Sequence, residues 1–178
     1  GTNTYSSSNS GYFDECRAFV PVTGSTYVTD GTTITYPTMT YSVWCYPDNL
    51  GGYQTLVDQG NDNWFFGFQG TTLITYDPNT STGSGVAANN NWYNFTMTHT
   101  QNDVVKFYIN GIKHSQTEGT YNIVRSFSNW SFGGGSVTTS GANEGFKGYI
   151  AAIAVYNRAL SAREVLQNHN ALKSRFGL

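Results

Sequence analysis

The chain has 178 residues, 9 basic and 11 acidic, a net charge of −2 and only 11% charged residues. That length suits one domain, and the charge balance excludes both a phosphate-gripping basic stripe and a charged disordered segment. Aromatics reach 16%, with 13 Tyr, 11 Phe and 4 Trp, which is ample apolar area for a core.

Ser, Thr and Asn make up nearly a third of the chain, with 20 Gly besides. Such a composition favours β-strands separated by many turns. No apolar run approaches the roughly 20 residues that cross a bilayer, so no membrane insertion is expected. Residues 1–11, GTNTYSSSNSG, lack the basic and apolar regions of a signal peptide. They read as a flexible polar arm or the end of a linker, leaving 12–178 as the domain.

In chain order, Met39–Tyr46 is the first clear strand. It sets Met39, Tyr41, Val43 and Cys45 against Thr40, Ser42, Trp44 and Tyr46, so both faces carry residues that want cover. Thr55–Asp58 and Trp64–Gln69 flank a polar loop, and Thr72–Tyr76 follows up to the turn signal Asp77–Pro78. Residues 77–91, DPNTSTGSGVAANNN, show no strand pattern and read as a long surface loop.

The clearest hairpin comes next. Trp92–Thr100 alternates Tyr93, Phe95, Met97 and His99 against Asn94, Thr96 and Thr98; Val104–Ile109 follows, and Asn110–Gly111 turns the chain into Ile112–His114. Trp130–Phe132 is another short strand. Phe146–Tyr156 is the longest and is apolar on both sides, as a central strand between two layers should be. Its alternation puts Phe146, Ile150 and Tyr156 on one side and Tyr149, Ile153 and Val155 on the other.

Only the end is helical. Ser161 and Glu164 form a capping box, Leu160 is placed to staple against Val165, and Val165, Leu166, His169 and Leu172 recur at helical spacing. Short strands, long loops and one helix predict an all-β, two-sheet antiparallel jelly-roll sandwich with one short C-terminal helix.

Cys16 and Cys45 are the two cysteines. They permit one disulfide or two buried thiols, alternatives that spacing leaves open. A zinc site is not expected, since no Cys-x-x-Cys pair is present and the three histidines stand apart.

The segment FKGYIAAIAVYNRALSAREV (146–165) resembles the closing motif of laminin-G-like domains in the concanavalin A-like lectin/glucanase superfamily. The matching residues are Phe146, Gly148, Ile150, Tyr156, Asn157, Arg158, Ala159, Leu160 and Ser161. YSVWCYPD (41–48) is similar to the family's early Trp-bearing strand, and residues 90–114 to its W…T…Y-x-N-G hairpin. The resemblance implies a concanavalin A-like jelly roll over roughly residues 12–165. Ala151 stands where the family often has an acid, so no polar or metal-linked role is inherited there. NALKSRFGL (170–178) is similar to tails of such domains in bacteriophage structural proteins.

Glucanases of this fold resemblance need two carboxylates about 5 Å apart for retaining hydrolysis. No pair of the eleven acids falls at an i, i+2 or i, i+4 spacing within a predicted strand, and no G-x-S-x-G elbow is present. No catalytic residue is therefore assigned. His99 reads as a sheet histidine, His114 as exposed, and His169 as part of the helix stripe.

The best candidate for binding is the loop holding Asp58, Asn61, Asp62, Asn63 and Trp64. A flat ring beside Asn and Asp suits sugar C–H groups and hydroxyl pairs, and an oxygen-rich loop also suits Ca²⁺. The competing reading is a plain hairpin loop with Trp64 in the core. Asn89–Asn91 is a weaker version of the same idea, with Trp92 at a family core position. The sequons at Asn79, Asn94 and Asn129 matter only in a secretory setting, and the mid-strand place of Asn94 argues against its use.

The reading is a non-enzymatic surface module: a virion structural, decoration or fibre protein with glycan binding, located at a virion surface or outside the cell. Its partners would be neighbouring virion or cell-surface subunits and glycans, not nucleic acid. The alternative is a lectin or adhesin domain of a larger secreted or cell-surface protein, and a third reading is an unusual glycosidase.

Overall fold

The computed structural model describes residues 17–19, 28–35, 38–58, 65–77, 80–100, 105–117, 126–134 and 145–178. Twelve strands form among them: β1 (Arg17–Phe19), β2 (Val28–Thr35), β3 (Thr38–Pro47), β4 (Tyr53–Asp58), β5 (Phe65–Gln69), β6 (Thr72–Asp77), β7 (Thr80–Val86), β8 (Tyr93–Thr100), β9 (Val105–Ile109), β10 (Ile112–Thr117), β11 (Ser126–Phe132) and β12 (Gly148–Tyr156). Helix α1 (Ala162–Leu172) and a 3-10 turn (Lys173–Phe176) follow.

Two six-stranded sheets face each other. The front sheet runs β1-β12-β3-β8-β9-β10 and the back sheet β2-β11-β4-β5-β6-β7, with every strand pairing antiparallel. Alternation explains the core. Met39, Tyr41, Val43 and Cys45 from β3 meet Phe95 and Met97 from β8 and Phe107 from β9, all buried against Leu56, Phe66, Phe68 and Leu73 of the back sheet. Rings lock the layers together: Phe68 meets Phe95 edge-on at 5.2 Å and Phe66 lies 6.4 Å from Phe107.

The hairpin turn is as expected. Asn110 and Gly111 both have positive φ, 52° and 78°, the conformation that makes Asn-Gly a hairpin dipeptide.

Two expectations are corrected. Residues 77–91 are not a continuous loop, because Thr80–Val86 forms β7 at the margin of the back sheet. Its Thr, Ser and Gly residues carry almost no strand signal. What orders them is the free backbone edge of β6, whose amides and carbonyls need partners.

Phe146–Tyr156 is an inner strand covered on both faces, between β1 and β3, but its course departs from the expected alternation. The strand β12 lies second in its sheet, the described residues of β1 pair with Gly148–Ile150, and most of its later residues are half-buried. Its two faces also switch. Ile150 opposes Cys45 and Ala152 opposes Trp44, so Ala151 is an extra residue, a β-bulge that reverses the alternation beyond it. Ile153 therefore joins Ile150 towards the main core, while Tyr156 turns to the outer face with Tyr108, Leu160 and Val165.

The helix forms as its signals dictate. The Ser161 side chain accepts from the Glu164 amide and the Glu164 carboxylate accepts from the Ser161 amide. Arg158 adds a two-pronged ion pair to Glu164 at 2.7 and 3.0 Å. Leu160 and Val165 are buried together as the staple requires.

Candidate functional site

Antiparallel pairing brings three connections to one end of the sandwich. Cys45 opposes Tyr93 and Pro47 opposes Gly148, so the chain leaving β3, the chain entering β8 and the chain entering β12 meet there. The first is 48–52, the second 87–92 and the third ends at Lys147.

Backbone and amide bonds knit these segments into one rim. The Asn90 amide donates to the Pro47 carbonyl at 2.7 Å and the Asp48 amide to the Lys147 carbonyl at 2.9 Å. The Leu50 amide donates to Asn89 Oδ1 at 2.8 Å, and Asn91 Nδ2 to the Asn89 carbonyl at 2.9 Å. Beneath them Gln54 is buried and acts as a strut: its amide nitrogen donates to the Asn49 carbonyl while Oε1 accepts from the Lys147 amide at 2.9 Å.

Asp48, Asn49, Asn89, Asn90 and Asn91 remain exposed on this rim. Asn90 holds a left-handed φ of 62°, which Asn tolerates better than most residues. Partial desolvation raises the Asp48 carboxyl above its ordinary value.

Beside the rim, the outer face of the front sheet is aromatic. Trp44, Trp92 and Phe176 are buried there, with Tyr46 and Tyr149 half-buried around them. Tyr46 lies 5.5 Å from Trp92 and 5.9 Å from Tyr149. An edge of aromatic rings running into a border of amides and one carboxylate is the chemistry that sugar recognition uses: apolar C–H faces on rings, hydroxyls on Asn and Asp.

The loop favoured from sequence lies elsewhere. Asp58 ends β4, opposite Phe65 and Ser131, and Asn61, Asp62, Asn63 and Trp64 fall outside the described residues. Asn89–Asn91 belong to the rim, and Trp92 is a buried member of the aromatic cluster. Ala151 packs against that cluster too. Asn94 is buried, which closes that sequon in the folded protein. Cys45 is a free, buried thiol whose pKa burial pushes up, and Cys16 lies outside the described residues.

Among the described residues no three His, Cys, Asp or Glu side chains gather as a metal site. The described carboxylate side chains are those of Asp48 and Glu164. Glu164 is committed to Arg158 and the helix cap, so these two offer no acid–nucleophile pair. Sequence reasoning missed the joining of 48–52 to 87–92. The signal was present: Pro47–Asp48 and Asn89–Asn91 bound two strands that pair antiparallel.

Residues 22–166 match the family described as the concanavalin A-like lectin/glucanases superfamily. The chain belongs to that superfamily, in its laminin G-like branch. No curated protein sequence matches it. Solved structures share the fold at low identity. Domain 4 of an extracellular arabinanase from Geobacillus stearothermophilus, in complex with arabinotriose, aligns with a TM-score of 0.67 and 18% identity over 94% of this chain and 81% of that one. A candidate carbohydrate-binding protein from Bacteroides ovatus aligns with a TM-score of 0.67 and 14% identity, covering 85% of this chain and 46% of that one. Botulinum neurotoxin type C, whose uptake by cells depends on two ganglioside molecules, aligns with a TM-score of 0.59 and 19% identity over 77% of this chain and 36% of that one. The chain thus spans less than half of the latter two.

Proposed function

We propose that this chain is a non-catalytic carbohydrate-binding module, displayed outside the cell or on a virion surface as part of a larger assembly. The observation that carries the reading is the convergence of Asp48, Asn49 and Asn89–Asn91 into one exposed rim beside the half-buried Tyr46 and Tyr149. The neighbours support it, since the arabinanase domain holds arabinotriose and the neurotoxin uses gangliosides. The virion setting rests on the resemblance of residues 170–178 to phage structural proteins, and neighbouring subunits would be the partners there.

Titration calorimetry against arabino-oligosaccharides, ganglioside headgroups and a broad neutral panel tests the module. Saturable binding with Kd of about 1 mM or tighter, roughly −4 kcal/mol, is expected, and Tyr46→Ala with Asp48→Asn should weaken it at least about tenfold, or roughly 1.4 kcal/mol. Loss in Trp64→Ala with the rim variants unaffected would move the site to the 58–64 loop. A blank panel for the folded protein would refute carbohydrate binding. Purified particles lacking the chain would remove the virion setting alone.

A further inference from the structure

The C-terminal segment is held to the front sheet largely by rings. Trp44 lies parallel to Phe176 at 4.1 Å and 8°, and parallel to His169 at 5.3 Å and 10°. Phe176 also leans on Trp92 at 4.9 Å. Helix α1 presses closely on the β9–β10 turn, where a Cβ on Gly111 would lie 3.0 Å from both His169 Cβ and Leu166 Cδ1.

The sheet surface beneath is polar rather than aliphatic. Ser42 Oγ accepts from Asn94 Nδ2 and from Thr96 Oγ1, each at 3.0 Å, and all three are buried. These groups satisfy one another, and the strap is held by its aromatic contacts, by Val165 packed with Leu160 and Tyr108, and by its connector. The connector is pinned by Thr40, whose hydroxyl donates to the Arg158 carbonyl at 2.8 Å and accepts from the Leu160 amide at 2.9 Å.

His169 is the one titratable ring in this clamp. It is only 6% exposed, and its Nδ1 is buried with no hydrogen-bond partner. Among the described residues, the groups on the elements packed against it offer no counter-charge. The strand β3 presents Trp44, and β8 presents Asn94 and Thr96. The Asn110–Gly111 turn is uncharged, with Lys113 and His114 beyond it, and β12 gives the phenol of Tyr156, already bound by Asn168. The 3-10 turn brings Lys173 and Arg175, both cationic. On the helix itself Glu164 is taken by Arg158 and Ser161.

We propose that the C-terminal strap is a pH-gated clamp, in which protonation of His169 releases α1 and Phe176 from Trp44 and bares the aromatic outer face of the front sheet. An imidazolium here would bury a charged Nδ1–H with no acceptor beside the Lys173 ammonium. Attraction of the cation to the Trp44 face opposes release but cannot supply the missing acceptor. Desolvation first, and Lys173 second, hold the His169 pKa below 6.5. A lowered folded-state value means that closure is fully stable above the ordinary histidine value and is lost as pH falls through the lowered one. Release does not depend on glycan binding.

Two measurements on the intact chain decide the matter. The ring-proton shifts of His169 should titrate with a midpoint below 6.5. Over the same range, the protection factors of amides across 162–178, each taken against the intrinsic rate at that pH, should fall at least about tenfold, the equivalent of one pKa unit, while amides of β3 and β8 keep theirs. His169→Phe keeps a flat ring on Trp44 but cannot titrate, and its protection factors should stay level with pH. If that variant does not fold, His99→Gln with His114→Gln, which spares His169, should retain the transition. A His169 midpoint at or above 6.5, unchanged protection factors across 162–178 in the parent, or the same transition in folded His169→Phe would each overturn the clamp.

Discussion

Gly148 sits where β12 crosses closest to β3, and replacing it with alanine tests the structural meaning of the closing motif. Its φ is +149°, and a Cβ there would land inside the van der Waals radius of the Tyr46 carbonyl oxygen and 3.0 Å from Pro47 Cα. Both obstacles are backbone, so neither can swing aside as a side chain would. The alanine variant must either separate the strands at Gly148–Pro47 or strain its own φ. Overpacking costs about 1–3 kcal/mol, and a disfavoured φ for a residue with a Cβ adds about 1–3 kcal/mol. A loss of about 2–6 kcal/mol follows, and for a chain of this size each kcal/mol shifts Tm by about 2–4 °C. Thermal unfolding followed by far-ultraviolet circular dichroism would then show Tm lower by about 4–24 °C. The disturbance should be local at first, with the Asp48–Lys147 bond of the rim fraying before the core, as amide exchange would show. A Gly148→Ala protein within about 0.5 kcal/mol of the parent, the range of ordinary surface changes, would refute the reasoning. It would mean that the strand approach is looser than described and that the glycine serves no steric end.

Two further predictions concern the strap and its cap. Phe176→Ala removes a ring that is 5% exposed and stacked on Trp44. About 3 kcal/mol should be lost, read as increased acrylamide quenching of tryptophan fluorescence and a lower Tm, and unaltered quenching would contradict the stack. The Glu164 carboxyl is held down to about 2 by Arg158 first and by Ser161 next. A lowered carboxylate pKa stabilises above its ordinary value and fails as pH falls through the folded one, so the cap should persist in mild acid. Ser161→Ala should cost about 1 kcal/mol of stability in a denaturant titration at pH 7, and no loss there would count against the capping box.

The fold was legible because its strongest signals are local. The Ser161–Glu164 box, the Asn110–Gly111 turn and the alternation of β3 and β8 each need only a few neighbouring residues to act. What escaped needed the partner strand. Nothing in Thr80–Val86 announces β7, whose order comes from the edge that β6 offers. Nothing in Phe146–Tyr156 marks the bulge at Ala151, because a bulge is defined by the count of residues on the opposite strand. Strict alternation therefore put Tyr156 on the wrong face. The rim was missed for a related reason. Its amides come from segments some 40 positions apart, such as Leu50 and Asn89, and only the pairing of β3 with β8 makes them neighbours.

The same bulge ties the fold to the strap. Had β12 kept its alternation past Ile150, Ile153 would point outward and Tyr156 inward, and Asn168 would lose the phenol that accepts its Nδ2 at 3.0 Å. With the extra residue in place, Ile153 seals the main core and the helix rests on Tyr156, the hydroxyl seam of Ser42 and Thr96, and the Trp44 ring. Polar seams contribute little net stability once their groups are already paired. The strap is thereby attached at two places, Val165 with Leu160 on Tyr108 near the helix start and His169 with Phe176 on Trp44 towards its end, and a proton on His169 acts on the second.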